Sequence, residues 1–202
     1  MADWATSSGC KIRPYRSQTA PTIRHYEEST CGSSAVVVRG DVVTSDTVVT
    51  TGGLRIVRAP SSAGTGTNLM QVAIKSLIGV ALQNSTSDGS TTGLNSAGVG
   101  TSRLRHLAVC LATPDQEFLG FNSTLETGNA VASQQLVGQV RPIAYDRNNH
   151  VFTVASTNST AALAAVLITE IPDYAIGDSG AFPVVFRFLS SNVSPAVAGA
   201  SQ

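Results

Sequence analysis

Few residues in this chain have the types and spacing for bond-making chemistry. The best of them is the serine of Gly177-Asp178-Ser179-Gly180. A serine in such a turn becomes a nucleophile when a histidine takes its proton, a carboxylate orients that histidine, and backbone N–H groups hold the oxyanion. Three histidines are available. His25 falls in Ile23-Arg24-His25-Tyr26-Glu27, His106 in an apolar strand-like stretch, and His150 just after the polar run 146–149. They show no metal-ligand spacing, and the scattered carboxylates form no evident acid–base pair. Cys10, Cys31 and Cys110 are odd in number and lack a CxxC spacing. That argues against a disulfide framework or zinc site and for free thiols in a protein made in a reducing cytoplasm. No metal or cofactor is expected.

The serine segment is similar to the Gly-Asp-Ser-Gly-Gly nucleophile segment of chymotrypsin-like proteases, with Ala181 in the fifth position. That resemblance implies Ser179 as nucleophile, but its other parts are missing. No histidine sits in an Ala-Ala-His-Cys-like context, and only one strand follows the serine to build a specificity pocket. The same residues read well as a tight turn feeding the last strand, with glycine supplying a positive φ and aspartate capping. Arg39-Gly40-Asp41 likewise reads as a strand-to-turn junction rather than an integrin-type tripeptide. Neither Gly64-Thr65-Gly66 nor Gly98-Val99-Gly100 has the context of a phosphate loop. The chain is expected not to be an enzyme.

The elements that would position these residues are strands. Charged residues make up only 13% of the 202, against about 25% in ordinary globular proteins. A surface so poor in charge suits a protein that ends up packed against partners. The 13 Lys+Arg and 13 Asp+Glu cancel, so nothing global favours nucleic acid. No apolar run reaches the ~18 residues of a membrane span, and the first residues lack the hydrophobic core of a signal peptide.

Residues 1–33 hold Pro14, Pro21 and several arginines without sustained periodicity, and predict an extended arm that gains order by lying on something else. Its candidate contact residues are Trp4, Arg13, Tyr15, Arg16, Arg24 and Tyr26, because aromatics and arginine dominate binding hot spots.

From residue 34 to 190 the texture predicts one β-rich domain, a sandwich or barrel, followed by a C-terminal tail over 191–202. Strands are expected at 35–38, 42–44, 48–51, 54–58, 104–112, 117–121, 136–145, 151–155, 163–171 and 182–189, with mixed apolar signals over 69–83. Gly79, inside Leu77-Ile78-Gly79-Val80-Ala81-Leu82, suggests a bulge or a close backbone approach. Phe182, Val184, Phe186 and Phe188 recur at period two and form the strongest core stripe. The polar, glycine-containing segment 84–102 is expected at a contact or a flexible tip.

Several of these segments together resemble the head decoration (cement) proteins of tailed bacteriophages. They are Val36-Val37-Val38-Arg39-Gly40-Asp41-Val42-Val43, Leu54-Arg55-Ile56-Val57-Arg58-Ala59, Leu77-Ile78-Gly79-Val80-Ala81, Glu117-Phe118-Leu119-Gly120-Phe121, Leu136-Val137-Gly138-Gln139, and Tyr145-Asp146 before His150-Val151-Phe152-Thr153-Val154. Gly177-Asp178-Ser179-Gly180 and Val184-Val185-Phe186-Arg187-Phe188-Leu189 close the series. The resemblance implies a β-rich domain on the outer capsid surface, often a homotrimer, that clamps neighbouring major capsid proteins and acts on no small-molecule substrate. The competing expectations are a tail or fibre component, and a serine hydrolase using Ser179.

Overall fold

The computed structural model describes residues 11–28, 37–45, 55–58, 69–72, 74, 76–84, 106–122, 131–146, 151–155, 163–179 and 181–194. These residues form an all-β protein, with no α-helix among them; the helical turns are short 3-10 pieces such as Gln134–Leu136 and Asp173–Ala175.

The described residues form three sheets. The first has five antiparallel strands in the order β1 (Arg13–Arg16), β8 (Glu117–Phe121), β13 (Pro183–Phe188), β12 (Val166–Glu170) and β9 (Val140–Arg141). The second is a three-stranded antiparallel sheet, β11 (Val151–Val154), β10 (Ile143–Asp146) and β5 (Leu69–Val72). The third closes into a barrel: β2 (Ile23–Glu28), β4 (Arg55–Arg58), β3 (Val42–Ser45), β6 (Leu77–Ala81) and β7 (His106–Leu111). Within the barrel only β2 and β4 run parallel.

The side chains explain why the strands stack this way. Phe182, Val184, Phe186 and Phe188 all enter one core, as their period predicts, and meet Phe118 of β8, Tyr145 of β10 and Phe152 of β11. Phe188 stands edge-on to Phe118 at 5.3 Å and to Phe186 at 5.4 Å between centroids, the arrangement that ring quadrupoles favour. Burial of each such ring contributes roughly 1.5–3 kcal/mol. A second core fills the barrel with Tyr26, Val43, Ile78, Leu107, Val109 and Leu111. Strand β7 serves both cores: Leu107, Val109 and Leu111 face the barrel interior, while Cys110 joins the aromatic core. Burial pushes the Cys110 thiol up to about 11, so it stays protonated and inert.

Gly79 marks a close approach, as expected. It pairs with Leu111 and Val43 where the β3–β6 register shifts. A Cβ there would fall 1.9 Å from the Cys110 carbonyl oxygen.

The expected arm is divided differently. Residues 13–16 and 23–28 are strands of two sheets, Ile12 is 2% exposed in the aromatic core, and Tyr26 lies in the barrel core. The reason is long-range pairing. Strand β1 pairs with β8, and β2 closes the barrel between β4 and β7. The C-terminal boundary also moves. Val193 bridges to Leu77, Ser194 N–H donates to the Leu77 carbonyl at 2.7 Å, and Ser194 is buried. The expected strand over 136–145 is instead a 3-10 turn followed by β9 and β10. The segment 85–102, with most of the loop expected at a contact, lies outside the described residues.

Candidate docking surface

Among the described residues the large exposed apolar side chains lie at or beside the two open edges of the five-stranded sheet, apart from Ile23 on the barrel strand β2. On one edge, β1 presents Arg13 and Tyr15 to solvent, Tyr15 at 47% exposure. Pro14 sits in this edge strand, where a missing N–H does no harm and discourages open-ended pairing. Arg16 is exposed but engaged by ion pairs to Glu117, and to Glu170 at 2.6 Å, while its guanidinium lies 5.6 Å from the Tyr15 ring centroid. The hydrogen bond to Glu117 raises the Arg16 pKa further.

The turn after β1 is fastened by Asp115. Its carboxylate accepts hydrogen bonds from Thr113 Oγ1 at 2.7 Å, Thr19 Oγ1 at 2.8 Å and Ser17 Oγ at 2.9 Å. Led by the Thr113 and Thr19 hydroxyls, these bonds lower its pKa to about 2. Gln116 Nε2 adds a bond to the Arg16 carbonyl at 3.2 Å. The chain then enters β2, where Ile23 and Arg24 are exposed.

The other edge is built by residues 131–140 lying against 168–179. Gly177 N–H donates to the Ala132 carbonyl and Ala132 N–H to the Asp178 carbonyl, both at 2.9 Å, and Val131 bridges to Ser179. Gly138 N–H donates to the Ile168 carbonyl at 2.9 Å. Together these segments expose Val131, Val137, Val140, Tyr174 and Ile176, with Tyr174 at 68%. Contiguous exposed apolar side chains of this kind mark interaction surfaces.

Of the contact residues expected from sequence, the structure brings Arg13, Tyr15 and Arg16 together on β1 and places Arg24 on the barrel strand β2. Tyr26 is 9% exposed inside the barrel, and burial raises its phenol pKa against the opposing pull of Arg24. It is a core residue, which corrects the expectation of a contact. Trp4 lies outside the described residues. The β9 edge was missed because Val137 and Val140 were read as part of one continuous strand over 136–145. The signal that could have revealed it is the company they keep: Ser133, Gln134, Gln135, Gly138 and Gln139 offer no alternating apolar partner.

The tempting motifs have structural duties. Gly177 adopts φ +90° and Asp178 N–H donates to the Ala175 carbonyl at 3.0 Å, so Gly177-Asp178-Ser179 turns the chain against Val131. Ser179 belongs to the β9 side, whereas His25 and His106 lie on barrel strands. In Arg39-Gly40-Asp41 the aspartate is 2% exposed, and its carboxylate accepts the Val38 N–H at 2.9 Å. Among the described residues no group of His, Cys, Asp and Glu is arranged to hold a metal ion.

No family model, curated protein or solved structure matches the chain.

Proposed function

We propose that this chain is a virion structural protein: a decoration protein that binds the outer surface of a tailed-phage head as a homotrimer and stabilises contacts between major capsid proteins. The observation that carries the reading is where exposed apolar area lies. In a chain with only 13% charged residues, the exposed large apolar side chains among the described residues fall in two stretches, 15–23 and 131–140 with 174–176. The motif resemblance described above supplies the identity of the partner.

The mechanism is mass action. A protein that binds only the assembled shell stabilises it by RT ln(1 + [L]/Kd), about 2.7 kcal/mol at a free concentration a hundred times Kd. Three linked copies raise the effective concentration at neighbouring sites.

The test is co-sedimentation of the purified chain with expanded, empty heads of the phage that encodes it. Saturable binding, with a raised disassembly temperature of the decorated heads, is the expected result. A chain that stays in the supernatant at every ratio overturns the proposal.

A further inference from the structure

Strand β1 is held at the edge of the five-stranded sheet without a buried residue of its own: Arg13, Tyr15 and Arg16 are exposed and Pro14 is half-buried. Its neighbour in the sheet is β8, and the register between them shifts between Pro14 and Arg16. Its apolar anchor is the residue before it. Ile12 is buried in the aromatic core, where Gly120 leaves room for it. A Cβ on Gly120 would fall 3.3 Å from Ile12 Cγ1 and 2.9 Å from the Phe186 ring. The remaining ties are polar: the Arg16 ion pairs, the Ser17 and Thr19 bonds to Asp115, and the Gln116 bond to the Arg16 carbonyl. Ion pairs open to solvent contribute little each. The chain beyond residue 21 is fixed differently. Leu111 N–H donates to the Thr22 carbonyl at 2.9 Å, and β2 then pairs with β7 over 23–27 and places Tyr26 in the barrel core. Residues 17–21 therefore form a joint between a lightly held strand and a firmly held one.

We propose that β1 is an exchangeable strand: residues 11–16 leave β8 while the barrel and the rest of the sheet stay folded, and the vacated seat takes the same segment of a second copy. The seat itself fixes the occupant. Strand β8 offers its backbone groups and a notch at Gly120 that one isoleucine side chain fills, and the chain's own segment matches both. Opening bares the β8 edge and part of the aromatic core, and a bare edge is a template for a strand of another chain. A swapped segment makes the contacts it made at home, so exchange is opposed chiefly by the entropy of association, and swapping is a low-cost route between copies. Residues 17–21, extended, span up to about 18 Å, which lets the strand pass to a copy alongside. Local opening of this kind needs only the weakest cooperative unit to detach, far below the cost of global unfolding. The exchange goes beyond the decoration reading and does not depend on it.

Two full-length chains test it, each with Cys10 and Cys31 replaced by serine. One carries Arg13→Cys and the other Leu119→Cys, positions that face each other across β1 and β8. Facing residues of an antiparallel pair lie within disulfide reach. Mixed under mild oxidation, the two should give a crosslinked heterodimer that accumulates with concentration. Its yield should stand about tenfold or more above that of Arg13→Cys mixed with a Tyr174→Cys chain, whose exposed cysteine reports random collision. Adding Ile12→Ala to the Leu119→Cys chain loosens that chain's own strand and leaves the seat for the intact donor, so trapping should quicken by about tenfold or more. A single chain carrying both Arg13→Cys and Leu119→Cys should close an internal disulfide and then cease to exchange. Where Leu119→Cys fails to fold, Arg16→Cys and Glu117→Cys, which also face each other, replace the pair. Hydrogen exchange on the unaltered chain is the second measurement: the amides of β1 should exchange at least about a hundredfold faster than those of β13. Amides of β1 as protected as those of β13, or folded variants that give no heterodimer above the collision control at any concentration, overturn the inference.

Discussion

Replacing Gly79 with alanine sets a methyl group 1.9 Å from the Cys110 carbonyl oxygen, 2.9 Å from its carbonyl carbon and 3.0 Å from the Leu111 Cα. Carbon and oxygen in comfortable contact sit about 3.3–3.6 Å apart, so β6 and β7 must separate by more than about 1 Å. All three atoms are backbone, and no side chain can swing away. The shift falls on a ladder that also serves both cores, through Gly79 opposite Leu111 and Val80 opposite Cys110. Overpacking costs about 1–3 kcal/mol, and one weakened ladder bond adds about 1 kcal/mol. The lower chain entropy of unfolded alanine returns roughly 0.5–1 kcal/mol. The net is about 1–3.5 kcal/mol, which for a chain near 200 residues lowers the melting temperature by roughly 2–14 °C. Gly138→Asn is the matched control: Gly138 has φ +82° with nothing within 4 Å of its would-be Cβ, and asparagine tolerates that backbone. Its midpoint should stay within about 2 °C of the parent. Calorimetry reads both variants, and hydrogen exchange should show faster opening of the β6–β7 amides in Gly79→Ala. A Gly79→Ala protein that melts with the parent would refute the close-approach argument.

Two further predictions concern the N-terminal strands. Because its hydroxyl partners depress the Asp115 pKa to about 2, its contribution is fully present above about pH 4 and is lost as the pH falls through about 2. The carboxylate is partly open to solvent, so we expect only about 1 kcal/mol after screening. Urea unfolding should show Asp115→Asn weaker than the parent near neutral pH, with the gap closing near the low end of that window; a gap independent of pH would refute the assignment. Truncation should divide the expected arm at a definite place. Removing residues 1–10 should leave the melting transition intact, whereas removing 1–28 takes away β1 and β2, opens the barrel between β4 and β7, and should abolish cooperative unfolding by near-ultraviolet circular dichroism.

Local pattern carried the strands whose partners are strong in themselves. The phenylalanine stripe of β13, the Glu117–Phe121 strand and the glycine within β6 could all be read from period and residue type, because each signal lies within a few neighbouring residues. Strand β1 could not. Arg13-Pro14-Tyr15-Arg16 has no apolar alternation and carries a proline, and the residues that order it lie roughly a hundred or more positions away along the chain: Asp115, Gln116, Glu117 and Glu170. A short edge strand held by hydroxyl–carboxylate bonds and an ion-pair pair looks like a tail until its partners are known. Tyr26 misled for the same reason. An aromatic among arginines resembles a surface anchor, and only the closure of the barrel shows that it points inward.

The candidate surface was hidden by a different mechanism. Composition reports how little charge the chain has, but not where the uncharged area faces. Val137 and Val140 look like core residues until residues 134–136 turn and β9 shortens to two residues. The apolar side chains that a longer strand would have buried then stay in solvent beside Tyr174 and Ile176. A long, exposed, hydrophobic edge invites uncontrolled pairing, and this fold limits that risk at both edges, with Pro14 in β1 and only Val140–Arg141 in β9. Contact through side chains therefore fits these edges better than added strands do.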